Sequence, residues 1–251
     1  QDWNKTSFLR NDISTDSKDY LSEVLKDYNK KINKEKLIET FHSIINQDKV
    51  EWIIIDGAST DRTLEIIKGY EDRFNNRFSE GIKIFSEKDN GIYDAMNKGF
   101  RKSSGKWIYF INAGDILLDL PINDLNNSNS DLYAFSVENE YGIINPQWGF
   151  SFRYRNPIPH QGAFYLRNVF EEYSLKYKIF SDYHHNIVMY KNNMKCSLSN
   201  TIVAFHSENG VSNNQKSLTE LYGLVREEFG FVGLVLTWVR FKIIGLINRF
   251  K

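Results

Sequence analysis

Three short stretches concentrate the residues that could do chemistry. Asp56-Gly57-Ala58-Ser59-Thr60-Asp61 puts two carboxylates and two hydroxyls into one tight turn. Asp89-Asn90-Gly91-Ile92-Tyr93-Asp94-Ala95-Met96-Asn97-Lys98-Gly99 mixes acids, amides and glycines in a way that neither a plain loop nor a plain helix requires. Asn112-Ala113-Gly114-Asp115 closes an apolar run. A carboxylate there suits a hard divalent ion, which uses one or two protein carboxylates and takes other oxygens from a phosphate-bearing substrate. Thr60 or Asp61 reads equally well as a helix cap. Asp56 does not, because a buried strand end gains little from a carboxylate. Asp94 and Asn97 stand three apart and share a face if the segment is helical.

Two later stretches carry titratable groups: His160-Gln161-Gly162-Ala163-Phe164 and Phe180-Ser181-Asp182-Tyr183. An Asp near its ordinary pKa of about 3.9 is ionised at neutral pH and can take a proton from an attacking hydroxyl. The plainer readings are a hydrogen-bonded loop histidine and an Asp that caps the following helix. His184 and His185 are adjacent, so their side chains point apart and make a poor metal pair.

The elements that must position these groups alternate between helix and strand. Leu37, Ile38, Phe41, Ile44 and Ile45 recur at helical spacing. Val50 to Ile55 is a continuous β-branched run with Trp52, the pattern of a strand buried on both faces of a parallel sheet. Leu64, Ile66 and Ile67 start a second helix. A second cycle gives a strand at Ile82 to Phe85, a helix at Ile92 to Phe100 and a strand at Trp107 to Ile111. In such α/β grammar the polar loops after the strands' carboxyl ends are where ligands bind. Asn123 to Asp131 reads as a surface loop, and Tyr133 to Val137 and Phe164 to Leu166 as shorter aromatic strands. For residues 18–29 periodicity leaves strand and helix equally open.

Together the motifs Asp56 to Thr63, Asp89 to Gly99 and Phe110 to Asp115 resemble the inverting glycosyltransferases of family 2. Within them the chain is most similar to the bacterial polysaccharide-assembly branch that includes colanic-acid-type enzymes, over roughly Tyr20 to Ser212. The resemblance implies a GT-A fold, an α/β nucleotide-binding sandwich with a mostly parallel central sheet. It assigns Asp56 to the donor base, Tyr28 to stacking on that base, and Asp115 to the metal as the last residue of a DxD-like motif. The first Asp of that motif is replaced by Asn112. Asp89, Asp94 and Asn97 fall where the family lines the donor sugar and diphosphate pocket. His160 and Gln161 match the acceptor side, Asp182 the catalytic base, and His206 to Ser212 a loop that closes over the diphosphate. The chain departs from the pattern at Glu23, Lys26 and Asp27, where apolar residues and a Thr or Pro are usual.

The expected product of these parts is a transferase that moves a sugar from a nucleotide-sugar donor, UDP-linked, to a glycan or lipid-linked hydroxyl, with inversion and with Mn²⁺ or Mg²⁺ as cofactor. Its domain spans residues 1–215, with the nucleotide-binding part at about 18–120 and the acceptor part at about 121–215. Residues 216–251 form a C-terminal amphipathic helical segment that lies on a membrane surface, on the domain or on a second copy of the chain. Nucleotidyl transfer is the rival enzyme class, but it calls for a Gly-rich basic loop near the N-terminus, which this sequence lacks. A degenerate nucleotide- or sugar-binding module is the non-enzymatic rival.

Composition excludes other classes. The 32 Lys and Arg balance 32 Asp and Glu, so the basic excess of a nucleic-acid binder is missing. With 41% apolar residues and 15% aromatic, the chain has the material for a packed core. A single cysteine, Cys196, forms no internal disulfide, and the polar Gln1 to Asn11 reads as no secretory signal, so a cytoplasmic protein at the inner membrane face is expected. The apolar run Phe231 to Val239 is too short to span a bilayer.

Overall fold

The computed structural model describes residues 34–44, 50–75, 82–206 and 215–247. The chain divides into two units, 1–34 and 35–251, and all the described residues beyond Lys34 belong to the second. Tyr28, the open strand-or-helix segment 18–29 and the Asn209-Gly210-Val211-Ser212 part of the closing loop lie outside the described residues.

Helix α1 (Lys34–Ile44) buries Leu37, Ile38, Phe41 and Ile44, the stripe its periodicity requires. Strand β1 (Trp52–Asp56) leads into α2 (Thr63–Asn75), and β2 (Ile82–Ser86) into α3 (Ile92–Lys102). β1 and β2 pair in parallel, with Asp56 opposite Ser86, so both carboxyl ends open on the same side. Trp52 to Ile55 are half-buried, not sealed on both faces as the unbroken apolar run suggested.

A larger six-stranded sheet follows, in the order β3-β7-β5-β8-β4 with β6 beside β5. Its strands are β3 (Trp107–Tyr109), β4 (Ile116–Leu117), β5 (Leu132–Asn139), β6 (Gly142–Ile144), β7 (Ala163–Leu166) and β8 (Cys196–Phe205). The expected predominance of parallel pairing does not extend to this sheet. Only β5 and β8 run parallel; β3–β7, β5–β7, β5–β6 and β4–β8 are antiparallel. For β5–β6 the reason is local, since a two-residue turn can return the chain only antiparallel.

Both faces of this sheet are covered, as its alternation demands. Leu132, Ala134, Ala163 and Tyr165 pack with Tyr93 and Met96 of α3 and with Tyr183, Ile187 and Met189 of α5 (Ser181–Lys191). Phe135, Val137 and Phe164 face the other way, onto Leu125. Leu125 belongs to α4 (Ile122–Asn127), a short helix within the stretch that reads as a surface loop; burying that one leucine among Phe135, Val137 and Phe164 is what orders it.

The C-terminal helix α6 (Gln215–Ile247) is broken at Gly230, whose φ of 63° and ψ of −152° favour a residue without Cβ. Its first arm is integral to the core through Leu221, Leu224 and Val225, so the expected appendage begins only past the break. The second arm returns far enough for Phe241 to meet Tyr222, ring centroids 6.2 Å apart. Its opposite side leaves Phe231, Val232, Val235, Trp238, Val239 and Ile243 exposed. Among the described residues no helix is long and apolar enough to cross a membrane.

Candidate active site

The expected residues fall into two groups, Asp56 with Asp89, and Asp115 with His160, Gln161 and Asp182. At the end of β1, Asp56 is 3% exposed and accepts from the Ser59 amide at 3.1 Å and the Ser86 hydroxyl at 2.6 Å. Burial pushes its carboxyl up, but these hydrogen bonds outweigh burial and leave it below its ordinary value. Ala58 is held at φ 60°, a left-handed conformation that costs a non-glycine residue about 1–2 kcal/mol. Gly57 is set by a close approach: a Cβ there would lie 2.4 Å from Asp89 Oδ2. The glycine therefore lets the two acidic loops touch.

Asp89 accepts from the Gly91 amide at 3.0 Å. Asp94, in the first turn of α3, accepts from the Asn90 amide at 2.9 Å, where the helix dipole also favours its charge. It shapes this loop from below. Asn97 has a different job from the one expected. Its Nδ2 donates to the Tyr173 carbonyl at 2.8 Å and its Oδ1 accepts from the Tyr173 amide at 2.7 Å. With both ends of the amide taken and the side chain 1% exposed, Asn97 braces α3 against the 170s segment and offers the donor nothing.

Asp115 is buried, and its partners come from three distant parts of the chain. Its Oδ2 accepts from Gln161 Nε2 at 3.2 Å, and its Oδ1 lies 2.8 Å from His206 Nδ1. The buried hydroxyl of Thr40 in α1 donates to the Asp115 carbonyl at 2.7 Å and accepts from the Gly114 amide at 3.0 Å. Gln161 Nε2 also sits 2.7 Å from His206 Nδ1. An amide NH₂ cannot face a ring N–H, so this contact favours a bare Nδ1. Protonated at Nδ1, the ring would instead donate to Asp115 Oδ1. The Asp115 carboxylate fits a hard cation, Mn²⁺ or Mg²⁺, that takes its other oxygens from a diphosphate. Among the described residues no group of three or more His, Cys, Asp or Glu converges as a fuller protein cage.

Asn112 does not touch the Asp115 side of this cluster with its side chain. Its Nδ2 lies 2.8 Å from His160 Nε2. That assigns Nε2 as acceptor and leaves Nδ1–H facing Asp182, 3.9 Å from Oδ2. Burial pushes the His160 pKa down by more than the Asp182 and Asp115 carboxylates pull it up, so the ring is neutral near pH 7.

Asp182 lies in the first turn of α5 but does not cap it. Its Oδ1 accepts from the Tyr93 hydroxyl at 2.7 Å and its Oδ2 from Asn156 Nδ2 at 3.0 Å. At 6% exposure it is buried, and each of its oxygens accepts one hydrogen bond. His184 and His185 diverge as adjacency dictates, His184 toward Glu228 of α6 at 3.5 Å and His185 into the Tyr165, Phe170 and Tyr173 rings.

Thr40, Tyr93 and Asn156 had not been singled out as functional from the sequence. Thr40 leaves a trace: a polar residue on the apolar stripe of α1, between Leu37 and Phe41. Tyr93 lies inside the second motif with nothing to mark its hydroxyl, and Asn156 carries no signal at all.

This arrangement is that of a GT-A nucleotide-sugar fold, and comparisons agree. The chain belongs to glycosyl transferase family 2, whose model matches residues 22–194. It is 30% identical over 183 residues to the PGL/p-HBAD biosynthesis glycosyltransferase of Mycobacterium bovis, covering 65% of this chain and 68% of that protein. It is 29% identical over 104 residues to TuaG of Bacillus subtilis, a glycosyltransferase named for teichuronic acid biosynthesis, covering 40% of this chain and 38% of that one. The fold is similar to S. aureus TarS 1–349 in complex with UDP-GlcNAc, with a TM-score of 0.59 at 16% identity. That match covers 77% of this chain and 62% of TarS 1–349, so the chain spans about three-fifths of that structure. It is also similar to the mannosyltransferase PcManGT from Pyrobaculum calidifontis in complex with GDP-Man and Mn²⁺, with a TM-score of 0.53, 12% identity and coverage of 82% and 69%. At such identities the structural likeness speaks for the fold.

Proposed function

We infer that the chain transfers a sugar from a UDP-linked donor, with inversion, to a hydroxyl of a glycan or lipid-linked acceptor in bacterial surface polysaccharide assembly. Residues up to about 215 form the transferase domain. One observation carries the reading: the consecutive residues His160 and Gln161 stand between Asp182 and Asp115, His160 facing the first and Gln161 bonded to the second. A base on one side of the dipeptide and a carboxylate for the diphosphate on the other are the two roles that inversion needs. Asp182 takes the proton of the acceptor hydroxyl as its oxygen bonds to the anomeric carbon, and the bond from that carbon to the diphosphate oxygen breaks. Asp115 would hold a divalent cation, which would supply charge stabilisation for the departing diphosphate. Asp56, Asp89 and Asn112 serve the donor in this reading, and Asp94 shapes the donor loop. The UDP-bound TarS structure and the names of the biosynthetic relatives support the donor and the setting. The test is UDP release from a panel of UDP-sugars with and without an acceptor pool. A protein that binds UDP yet releases none from any donor belongs instead to the binding-module reading.

The second arm of α6 is read as a membrane-surface element on the cytoplasmic side. Its apolar residues Phe231, Val232, Val235, Trp238, Val239 and Ile243 share one exposed arc, with Lys242 within it, 5.5 Å from the Trp238 ring centroid. An apolar face with interleaved cations is the pattern that lies in the headgroup region of anionic lipid. It would bring a lipid-linked acceptor to the transferase.

A further inference from the structure

Tyr93 does more than pack. Its ring meets Tyr173 edge-on, with centroids 5.2 Å apart, and the side chain is buried, so a core role accounts for the ring. The hydroxyl is another matter. It lies 2.7 Å from Asp182 Oδ1 and 2.7 Å from the Ile179 carbonyl oxygen. A phenol has one proton and both neighbours only accept, so it cannot donate to both at once. The carboxylate wins that competition, because a bond to an ionised acceptor is about twice as strong as one to a neutral carbonyl.

The remaining surroundings of Asp182 supply no competing charge compensation. Among the described residues the only cation-forming group within 4.0 Å is His160, which is neutral. Tyr165 and Tyr173 stand behind it from the aromatic core and keep their protons, burial pushing both phenols up. Glu220 of α6 faces Tyr93 from the far side, accepting from the Lys178, Ile179 and Phe180 amides. Burial and the Asp182 charge push the Tyr93 phenol well above its ordinary value, so it stays a donor at any working pH.

We propose that Tyr93 is a positioning residue for the transfer: its hydroxyl pins Oδ1 of Asp182, favours the ionised carboxylate, and leaves the Oδ2 side, held by Asn156, to meet the acceptor. This rests on Asp182 being the base. Tyr93 is also the residue before Asp94, so the helix turn that shapes the donor loop is the same turn that aims the base. Donor and acceptor halves of the site are thereby set by one element.

Tyr93→Phe keeps the ring and removes only the donor. In protein with carbon-13 at the Asp carboxyls, the resonance missing from Asp182→Asn is that of Asp182. Loss of a donor to the charged form raises a carboxyl's titration midpoint. The midpoint in Tyr93→Phe should therefore lie above that in wild type by roughly one pH unit or more. The acid limb of UDP-sugar hydrolysis should move by the same amount, with UDP affinity within about twofold of wild type. A fluorinated tyrosine at position 93, a stronger donor of nearly the same shape, should move the midpoint the other way; a packing role alone moves it in neither direction. An unmoved midpoint in folded Tyr93→Phe overturns the proposal, and if that variant does not fold, an unmoved midpoint with fluorotyrosine overturns it equally. Near-normal hydrolysis by Asp182→Asn overturns instead the assignment of the base.

Discussion

His206 Nδ1 and Asp115 Oδ1 meet across 2.8 Å although 91 residues separate them. The contact joins the residue just past the end of β8 to the loop before β4, and Gln161 touches both members. The carboxylate, the imidazole and the amide thereby fix one another's positions.

Divalent-ion-dependent binding of UDP should therefore need both residues. Calorimetry with Mn²⁺ should show metal-dependent affinity lost in Asp115→Ala and reduced about tenfold or more in His206→Ala, with both proteins folded. UDP binding that is equally tight in chelator for the wild type would defeat the metal assignment.

Asp182→Asn separates a catalytic from a structural carboxylate. The amide oxygen can still accept from Tyr93 while its NH₂ meets Asn156, which must turn its own amide to accept, so a melting curve accompanies the assay. Turnover should fall by roughly 10²–10⁴-fold while UDP affinity stays near wild type. A variant that transfers sugar at close to the normal rate sends the search to another carboxylate.

His185 makes stability depend on pH. Burial among aromatic rings pushes its pKa down to about 3, against an ordinary value of about 6.5. The native ring stays neutral while the unfolded chain binds a proton below pH 6.5, so the unfolded state holds more protons in that window. Stability is complete above about 6.5 and falls as pH drops toward 3, by roughly 5 kcal/mol at most. Urea melts at pH 4.5 and 7.5 should show a smaller difference between the two pH values in His185→Leu than in wild type. An identical difference would show that the ring is not buried neutral.

The exposed arc of α6 should bind anionic vesicles. Phe231 and Trp238 are 78% and 55% exposed, so Phe231→Ser with Trp238→Ser should leave the melting temperature nearly unchanged. Flotation with anionic liposomes should drop sharply in that double variant, and wild-type flotation should weaken as salt is raised. Equal flotation of the two proteins would count against a lipid-facing role.

Much of the site was legible in the residues themselves. Asp56 and Asp115 follow apolar strands, and a carboxylate in such a place has no packing reason to be there. Gly57 beside Asp56 foretold a tight turn, and the structure supplies the cause in the approach of Asp89. Asn97 shows the limit of spacing: sharing a helix face with Asp94 says nothing about which backbone lies opposite, and that backbone was Tyr173.

The sequence by itself determined the α/β class, the positions of β1, β2, α3 and β3 to within a few residues, and the carboxylates at the strand ends, because periodicity and turn chemistry are local. Tertiary structure alone decided that most of the larger sheet runs antiparallel and that Leu125 turns a polar stretch into a helix. It alone also brought Tyr93, Asn156 and His160 around Asp182. Those are meetings between segments 22 to 89 residues apart. No local pattern encodes them, since a hydroxyl or amide has the same propensity whether it faces water or a buried carboxylate, and only packing of both faces of the sheet chooses between the two.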